Sequence, residues 1–349
     1  MTGDWADLLG HLVAGNDLGA EDTAWAMDLV MTGEATPARV AAFAVALRAK
    51  GETAEEVRGM ADAMLAHARP LEVTAPAMDI VGTGGDRSGT VNISTMASIV
   101  AAAAGTTIAK HGNRSASSKC GTADVLEALG VAIDLPPEDV RSCLDELGIG
   151  FCYAPLFHPA FRYSAGPRRE IGIPTAFNLL GPLTNPARPR SGLVGCADRR
   201  MAPVLAEVFA SRDNSALVVR GDDGMDEITT ITSTTAWVVR SGAVHEERIH
   251  PPDLGVQLTD PGSLAGGDPD VNAAAVRDLL AGRCGPVRDA VLLNAAGALA
   301  AHDGPADDLS AQLRSGMQRA ASVIDGGTAA DLLDRWAERS AELAAVAQR

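Results

Sequence analysis

The sequence predicts an α/β protein in which a small all-helical domain, residues 1–72, precedes a larger α/β domain, residues 76–349. Two observations support this fold class. Residues up to about 70 carry helical apolar patterns and no strand pattern. From residue 78 onwards, short aliphatic runs alternate with longer helical segments. That alternation is typical of a central, mostly parallel sheet surrounded by helices.

The composition supports two folded units with a full core. Hydrophobic residues make up 46% of the 349 residues but aromatic residues only 3%, so Ala, Val and Leu must fill the interior. The five cysteines show no C-x-x-C spacing, which argues against a zinc site and against a disulfide framework. Scattered cysteines of this kind predict a reducing, cytoplasmic location.

The charge of the chain restricts its partners. A formal net charge of −16 argues against nucleic acid and anionic membrane surfaces. The N-terminal segment MTGDWADLLG has acidic residues and no basic one, so it does not read as a signal peptide. No apolar run approaches the length that spans a membrane. An anionic substrate would therefore have to be attracted by local cations.

The N-terminal helices carry clear start and stop signals. Thr36 is a predicted N-cap, followed by proline at the first helical position, and Gly51 ends that helix. Thr53 and Glu56 have the spacing of a capping box for the next helix. So short a unit with several apolar faces is expected to pack against another surface, either its own second domain or a second copy.

The larger domain is predicted element by element. Predicted strands cover 78–81, 106–109, 149–153, 191–196, 216–219 and 290–293, and predicted helices lie near 95–104, 122–129, 137–147, 200–211, 271–281, 309–324 and 328–345. The proline-rich stretch 154–190 interrupts the alternation and mixes helical turns with loops. A chain that crosses between two domains there would line a cleft, where ligand sites tend to lie.

The first candidate site is the glycine loop GTGGD, residues 82–86, which follows a short buried strand. Glycine lets the backbone approach a ligand closely, and successive backbone N–H groups can hold a phosphate. The loop matches neither the dinucleotide fingerprint nor the Walker loop, because Arg87 stands where the third glycine should be and Gly89 is followed by threonine. A plain tight turn is the alternative interpretation.

The second candidate site is KHGNRSASSK, residues 110–119. Its lysines, arginine, asparagine and serines lie between apolar segments, which is unusual for a simple connection. Lys110, Arg114 and Lys119 could attract an anion, although a solvated basic loop would have the same composition. Two anion-binding loops so close together suit a substrate with two separate phosphate groups.

The third candidate site is GDDGMDEITT, residues 221–230. In a loop, Asp226 and Glu227 can converge on one hard cation, and magnesium prefers such oxygen ligands. The alternative is an acidic solvated turn, and that is the preferred interpretation of Asp222 and Asp223.

Together with NIST and FNLLGPLTNP, these motifs resemble those of the anthranilate phosphoribosyltransferases over nearly the whole chain. The resemblance implies transfer of the phosphoribosyl group of 5-phosphoribosyl-1-diphosphate (PRPP) to the amine of anthranilate, with magnesium, in tryptophan biosynthesis. It also implies a homodimer formed through the N-terminal helices. Part of residues 160–190 would join the helical domain.

The resemblance assigns residues to three groups. The predicted PRPP-binding residues are Gly82, Gly85, Asp86, Thr90, Asn92, Ser94, Thr95, Lys110, His111, Gly112, Asn113, Arg114, Ser115, Ala116, Ser117, Ser118 and Thr122. The predicted anthranilate-binding residues are Gly82, Asn113, His158, Arg168 and Pro182. The predicted magnesium ligands are Ser94, Asp226 and Glu227. Without the resemblance, Arg168 would read as the start of a solvated charged helix, and Pro174 stands where the family often has arginine.

The implied reaction passes through a transition state that resembles an oxocarbenium ion. The aromatic amine is neutral at pH 7, so no strong base is needed and positioning carries much of the burden. Magnesium would neutralise the departing diphosphate. His111 could take the proton afterwards or could only shape the acceptor site, and no residue is assigned as catalytic.

Three other functions fit parts of the sequence. Pyrimidine nucleoside phosphorylases share the fold but carry KHS-type residues in the first glycine loop, where this chain has GTGGD. A non-catalytic anion-binding protein would be expected to lack the acidic pair or the loop lysine, and both are present. Type I phosphoribosyltransferases are excluded because residues 228–231 lack the glycine that their phosphate loop needs.

Overall fold

The structure, a computed structural model, describes residues 3–115 and 118–347, with no account of the side chain of Ala347. Within them the helices are α1 Trp5–Val13, α2 Ala20–Thr32, α3 Pro37–Lys50, α4 Ala54–Ala66, α5 Ile93–Ala103, α6 Thr122–Ala128, α7 Pro137–Leu147, α8 Ala154–Phe157, α9 Ala165–Ile171, α10 Leu180–Leu183, α11 Met201–Ser211, α12 Pro269–Leu280, α13 Pro286–Asp303, α14 Leu309–Asp325 and α15 Thr328–Ala347. The strands are β1 Ala77–Gly82, β2 Thr107–Gly112, β3 Ile149–Tyr153, β4 Ser191–Gly195, β5 Ser215–Gly221, β6 Thr234–Arg240 and β7 Ala243–Ile249. Short 3₁₀ helices cover Pro159–Ser164, Ala176–Leu179, Pro251–Leu254 and Pro261–Leu264.

The predicted helix boundaries in the N-terminal unit are confirmed. The hydroxyl of Thr36 accepts a hydrogen bond from the backbone of Arg39, and α3 ends at Lys50 with Gly51 as its cap. In the capping box of α4, the Glu56 backbone donates to the Thr53 hydroxyl at 3.3 Å, and the Thr53 backbone donates to the Glu56 carboxylate at 2.9 Å. These bonds satisfy backbone N–H groups that a helix start would otherwise leave unpaired.

The N-terminal helices form a unit that receives a later segment of the chain. Helix α2 packs against α4, and α1 packs against α3. The 3₁₀ helix Pro159–Ser164 contacts α2, α9 contacts α3, and α10 contacts α4. The chain therefore leaves the sheet after β3 and returns to it at β4.

The sheet has the strand order β3-β2-β1-β4-β5-β6-β7. Neighbouring strands from β3 to β5 are parallel, and β6 and β7 add an antiparallel hairpin at one edge. Helices α5, α13 and α14 cover one face, while α11 and the N-terminal unit cover the other. The predicted strands from 78–81 to 216–219 are confirmed, but β6 and β7 were not predicted.

The predicted strand 290–293 is wrong, because these residues lie inside α13. This helix is buried at every position from Ala290 to Ala301, where it packs against α5 and α14. A run that is apolar on all sides does not reveal its period, so a strand and a buried helix look alike in sequence.

Among the described residues, no helix combines the length and the apolar character that a membrane span requires.

The site lies where β1 and β2 separate. Their parallel pairing covers Ala77 with Thr107 and Met78 with Ile108, and stops there. On its other side β1 stays paired with β4 as far as Gly82 and Gly195. The carboxyl ends of the central strands therefore border an opening, which is where ligands bind in open α/β sheets.

Candidate active site

The glycine loop meets the acidic loop at the carboxyl ends of β1 and β4. The backbone N–H of Gly84 donates to the carboxylate of Asp226 at 2.7 Å. A Cβ atom on Gly82 would lie 2.2 Å from the Asp226 carboxylate, and one on Gly195 would lie 1.5 Å from its carbonyl oxygen. Positions 82 and 195 must therefore be glycine for the glycine loop and the acidic loop to make contact. Gly84 and Gly85 adopt the positive φ that the turn between them requires.

Three carboxylates converge at this junction. Asp86, Asp226 and Glu227 are partly buried, and each offers one oxygen within 4.8 Å of the others. Burial and the neighbouring Asp86 raise the pKa of Asp226 to about 6. Burial and the other acids raise the pKa of Glu227 well above its usual value. Like charges this close repel each other unless a cation lies between them.

The carboxylate cluster fits a magnesium ion. One oxygen of Asp86 and one of Glu227 are buried and have no hydrogen-bond partner among the described residues. Carboxylate oxygens are the ligands that magnesium prefers. Of the predicted ligands, the structure brings Asp226 and Glu227 together and adds Asp86, which the family resemblance assigns only to PRPP binding.

Lys110 lies close enough to Glu227 for their charges to interact, and it also lies near the predicted ligand Ser94. The Lys110 side chain is 1% exposed, and its Nζ donates to the carbonyl of Ile80 at 2.6 Å and lies 3.5 Å from the Ser94 hydroxyl. Burial lowers the pKa of Lys110 to about 8, against the opposing effects of Asp79 and Glu227. Lys110 is thus a buried cation that compensates for the acids, rather than a member of a solvated basic loop.

Helix α5 follows the glycine loop and begins at Ile93, with Asn92 as its N-cap residue. The Asn92 amide donates to the Cys120 carbonyl at 3.3 Å and accepts from the Asn272 amide at 2.8 Å, so it ties the second loop to α12. Thr95 is 1% exposed, and its hydroxyl has no partner among the described residues. Thr90 forms an isolated antiparallel bridge with Ala265.

The second loop runs from the end of β2 to α6. The Arg114 guanidinium forms ion pairs with Asp124 and Glu127 and lies over the ring of Tyr153. The Ser115 and Ser118 hydroxyls are 2.6 Å apart. Asn113 and Lys119 are exposed, and Gly112 and Thr122 are partly exposed. Ala116 and Ser117 lie outside the described residues.

Two neutral histidines face each other beside this loop. The ring centroids of His111 and His158 are 5.3 Å apart. Burial is the main cause that lowers the pKa of His111 to about 3 and that of His158 to about 4. The Nδ1 atom of His111 lies 3.0 Å from the Gly181 carbonyl, next to the buried Pro182. Both rings are therefore uncharged at neutral pH.

Arg168 is a partly buried cation in the segment that joins the N-terminal unit. Its guanidinium lies 5.0 Å from the Phe161 ring centre and 5.8 Å from that of Phe177. Burial is the one cause that lowers the pKa of Arg168, and no carboxylate among the described residues pairs with it. Arg169 and Glu170 are exposed, but they lie in the last turn of α9, so the interpretation of this segment as a helix start is wrong.

The acids at positions 222 and 223 stay outside the cluster. Asp222 pairs with Arg248 and is exposed, as expected for an acid in a solvated turn. Asp223 is also exposed, but it accepts hydrogen bonds from the Met225 backbone and the Thr229 hydroxyl. It therefore shapes the loop that presents the acidic pair.

Two buried residues near the site, Asp79 and Asn185, are not among the predicted site residues. Asp79 is 3% exposed and lies within β1, where an acid interrupts the apolar run AMDIV. Its carboxylate accepts hydrogen bonds from the His111 backbone at 3.1 Å and from the Asn185 amide at 2.8 Å. Burial raises its pKa to about 6, while Lys110 and these hydrogen bonds oppose the increase. A charged residue in a buried strand was the available signal.

Comparison with known proteins places this chain in a family. Residues 74–330 match the model described as the α/β domain of a glycosyl transferase family, and residues 6–68 match the one described as its helical bundle domain. The chain therefore belongs to the glycosyl transferase family that joins a helical bundle to an α/β domain.

The individual relatives identify a narrower group within that family. A relative from Saccharopolyspora erythraea, named anthranilate phosphoribosyltransferase, is 74% identical over 343 residues, which cover 98% of each chain. A relative of the same name from Rhodococcus jostii is 58% identical over 341 residues, covering 97% of this chain and 94% of its own. The chain belongs with the anthranilate phosphoribosyltransferases.

Solved structures confirm the predicted fold class. The crystal structure of anthranilate phosphoribosyltransferase from Thermus thermophilus has a TM-score of 0.89 and 41% identity, covering 96% of this chain and 99% of that one. The enzyme from Saccharomyces cerevisiae, in complex with PRPP and Mg, has a TM-score of 0.88 and 25% identity, covering 98% of this chain and 99% of its own.

Proposed function

We propose that this protein transfers the phosphoribosyl group of PRPP to the amine of anthranilate, releases diphosphate and uses magnesium. The observation that carries the proposal is the cluster of Asp86, Asp226 and Glu227 against the glycine loop, in a chain of this family. A relative from Saccharomyces cerevisiae has been solved with PRPP and Mg, and also with 4-fluoroanthranilate.

The phosphate side of the site consists of the two loops. The predicted PRPP-binding residues on these loops would supply backbone N–H groups, hydroxyls and the Lys110 ammonium. Lys110 is buried close to Glu227, which supports a role for its ammonium group in compensating the charge of the acids. The guanidinium of Arg114 is paired with two acids, and its backbone N–H donates to the Asn113 side chain at 2.7 Å, so Arg114 would have to exchange one of these contacts to bind phosphate.

The metal side consists of Ser94, Asp226 and Glu227, with Asp86 as a further candidate. Magnesium held there would supply positive charge to the diphosphate as it departs. The residues contribute by fixing that charge: Asp226 is held against the glycine loop, and the segment after Glu227 is bonded to α13 through Ile228 and Asn294. Charges positioned before the reaction need no rearrangement during it.

The acceptor side consists of His111, His158, Arg168 and Pro182, with Gly82 and Asn113 at its border. A planar guanidinium with no carboxylate partner among the described residues suits the ortho carboxylate of anthranilate. The aromatic rings around it suit the benzene ring of the substrate. The neutral histidines provide a polar but uncharged wall for the amine.

Anthranilate fluorescence tests the proposal directly. The signal should decay when enzyme, PRPP and magnesium are all present, and should stay constant when any one is omitted. A stable signal with the complete mixture would overturn the proposal. Phosphate-dependent cleavage of a pyrimidine nucleoside by the same preparation would instead favour the phosphorylase alternative.

We propose a homodimer formed through the N-terminal helices. Between α1 and α3 lies a groove of about 500 Å³ with an apolar lining. Val13 and Val45 at this groove are 80% and 42% exposed. A second copy of the chain would cover these side chains, and the resemblance to the family supports that occupant.

We also propose a cytoplasmic location and the two-domain division described above. Four buried free cysteines and the exposed Cys284 support a reducing compartment. Contacts of 159–183 with α2, α3 and α4 support a helical domain of residues 1–72 joined by part of 160–190. Residues 76–349 would then form the domain that binds PRPP.

A further inference from the structure

Asp79 lies in an unusual place for a carboxylate. It is 3% exposed, inside the central strand β1, and has no contact with the metal cluster through any hydrogen bond that the structure records. A buried carboxylate is costly unless its oxygens are satisfied by donors. Both oxygens are satisfied here, one by the His111 backbone and one by the Asn185 amide.

The Asp79 side chain takes the place of backbone hydrogen bonds between β1 and β2. The backbone pairing of β1 with β2 stops at Met78 and Ile108. Beyond that point, the His111 N–H donates to Asp79 at 3.1 Å, and the Lys110 ammonium donates to the Ile80 carbonyl at 2.6 Å. Side chains thus fix the end of β2 at a distance from β1 that a continuous ladder would not allow.

Asn185 connects this region to the segment that contains α10. Its amide donates to Asp79 at 2.8 Å and to the Ala109 carbonyl at 2.7 Å, and its carbonyl accepts from the Ala187 backbone at 2.9 Å. All its polar atoms are therefore used. The segment from α10 to Ala187 is held against both central strands at this point.

The same segment fixes the imidazole of His111. The Nδ1 atom lies 3.0 Å from the Gly181 carbonyl, and a carbonyl can only accept. Nδ1 must therefore carry the hydrogen, which leaves a lone pair on Nε2. That Nε2 atom is buried and has no hydrogen-bond partner among the described residues. His111 is held at its backbone by Asp79 and at its ring by Gly181.

We propose that Asp79 and Asn185 are positioning residues for the acceptor amine, which act by holding His111 so that its Nε2 accepts a hydrogen bond from anthranilate. The inference rests on the proposed function. A bond from one N–H of the amine to Nε2 leaves the nitrogen lone pair free to face the sugar. Such orientation accounts for much of the catalysis when the nucleophile needs no activation.

The role given to His111 is therefore positioning rather than proton removal. A ring held neutral by burial, beside a second neutral ring, is a poor site for a proton at neutral pH. It is a good acceptor for a fixed N–H donor. This assigns His111 to the second of the two roles that the sequence left open.

Steady-state kinetics with each substrate varied in turn test the pair. Asn185→Leu keeps a side chain that branches at the same carbon and removes the hydrogen bonds, and it leaves Lys110 unaltered. We expect the Michaelis constant for anthranilate to rise up to about tenfold, as for the loss of one hydrogen bond between neutral groups, and that for PRPP to change by less than about threefold. Asp79→Asn should also raise the Michaelis constant for anthranilate.

Asn214→Leu is the matched control. Asn214 donates to the Pro189 carbonyl at 3.1 Å and precedes β5, away from both loops. It should leave both Michaelis constants unchanged, and thermal midpoints of all variants identify any loss of folding. A parallel rise of both Michaelis constants in Asn185→Leu, or a fall in the midpoint alone, would show a purely structural role and overturn the inference.

Nitrogen-15 spectra of histidine-labelled, unaltered enzyme test the tautomer without turnover. The chain has 7 histidines, and His111→Gln identifies the His111 signals by their loss. We expect neutral His111 with the hydrogen on Nδ1 between about pH 5 and pH 8, and a shift of its Nε2 signal on addition of anthranilate. Hydrogen on Nε2, or a protonated ring, overturns the inference. If the unaltered enzyme does not consume anthranilate, the proposed function fails and these spectra alone decide the tautomer.

Discussion

At the scale of single residues, the site contains charged side chains that the protein neutralises only in part. Arg168 is partly buried over two aromatic rings without a carboxylate partner in the described part of the chain. Asp86, Asp226 and Glu227 present the opposite situation, with three acids that lie against one another. Unpaired buried charge is costly to the fold, so each position is a candidate for a charged ligand.

Arg168→Ala should weaken anthranilate binding. The loss of a hydrogen bond to a charged group costs about 1.5–3 kcal/mol, or about 10- to 150-fold in the Michaelis constant for anthranilate. The Michaelis constant for PRPP should barely change, because the phosphate loops are untouched. Arg169→Ala, at the exposed neighbouring position, is the control. A defect confined to PRPP would mean that the carboxylate is bound elsewhere.

Asp226→Asn combined with Glu227→Gln should abolish turnover without unfolding the protein. The amides keep the shape of the loop but lose the negative charge that binds magnesium. Turnover is measured by anthranilate fluorescence over a range of magnesium concentrations, and folding by circular dichroism. Near-normal turnover with the same magnesium dependence would refute the metal assignment.

The stability of the metal-free protein should depend on pH through the same acids. The Asp226 carboxyl ionises near pH 3.8 when unfolded, and its pKa is raised to about 6 in the folded chain, so the folded state binds the proton more tightly. Its stabilising contribution is therefore complete below about pH 4 and is lost as pH rises through about 6. Glu227 acts in the same direction.

Thermal unfolding in the presence of a chelator measures this effect. The unaltered protein should lose more stability between about pH 5 and pH 7 than the Asp226→Asn, Glu227→Gln variant, in which these carboxyls cannot titrate. Added magnesium should raise the midpoint more at the upper end of that range. Identical pH profiles for the two proteins would contradict the raised pKa values.

At the scale of elements, helix α13 supports the acidic loop from behind. Asn294 accepts from the Ile228 backbone at 2.9 Å and donates to its carbonyl at 2.8 Å, directly after Glu227. A Cβ atom on Gly297, one turn further along, would lie 2.7 Å from the Ile228 side chain. The loop is thus fixed by a helix that has no direct place in the chemistry.

Asn294→Ala should reduce both stability and magnesium affinity. It leaves the Ile228 N–H and carbonyl unpaired in a buried position, which costs about 1–3 kcal/mol per group. The loop that carries the acids would then be less well fixed, so half-maximal activity should need more magnesium. Asn214→Ala, which removes a bond away from the site, should leave the magnesium dependence unchanged. A stability loss with unchanged magnesium dependence would rule out this supporting role.

The elements also show what the sequence could and could not reveal. Glycine loops and adjacent acids are local signals, so the strands that precede them and the acidic loop could be predicted. The hairpin of β6 and β7 had a local signal too, because Ser241 and Gly242 form a two-residue turn with φ values of 52° and 73°. The link from Asp79 to Asn185 spans 106 positions and has no local signal.

At the scale of the whole molecule, two exposed surfaces differ in polarity. The groove between α1 and α3 is apolar, whereas β7 at the edge of the sheet carries charged, mostly exposed side chains. The first surface suits a second copy of the chain, and the second does not.

Val45→Glu should convert the proposed dimer into a monomer. A carboxylate at the centre of an apolar contact would have to be desolvated on association, which is strongly unfavourable. Sedimentation velocity should show half the mass of the unaltered protein. Val346→Glu, at a position that is 70% exposed on α15, is the control and should leave the mass unchanged. An unaltered protein that is monomeric at micromolar concentration would rule out the dimer.

The charged edge strand has a consequence for the protein in concentrated solution. β7 leaves one side of its backbone unpaired, and such an edge can recruit strands from other molecules into aggregates. Residues 245–248 of this strand include three charged side chains in addition to His245, so a like strand that docked there in a parallel, in-register alignment would bring equal charges together. We therefore expect heated or crowded samples to resist fibre growth from this edge, and Glu246→Val with Glu247→Val to remove that protection.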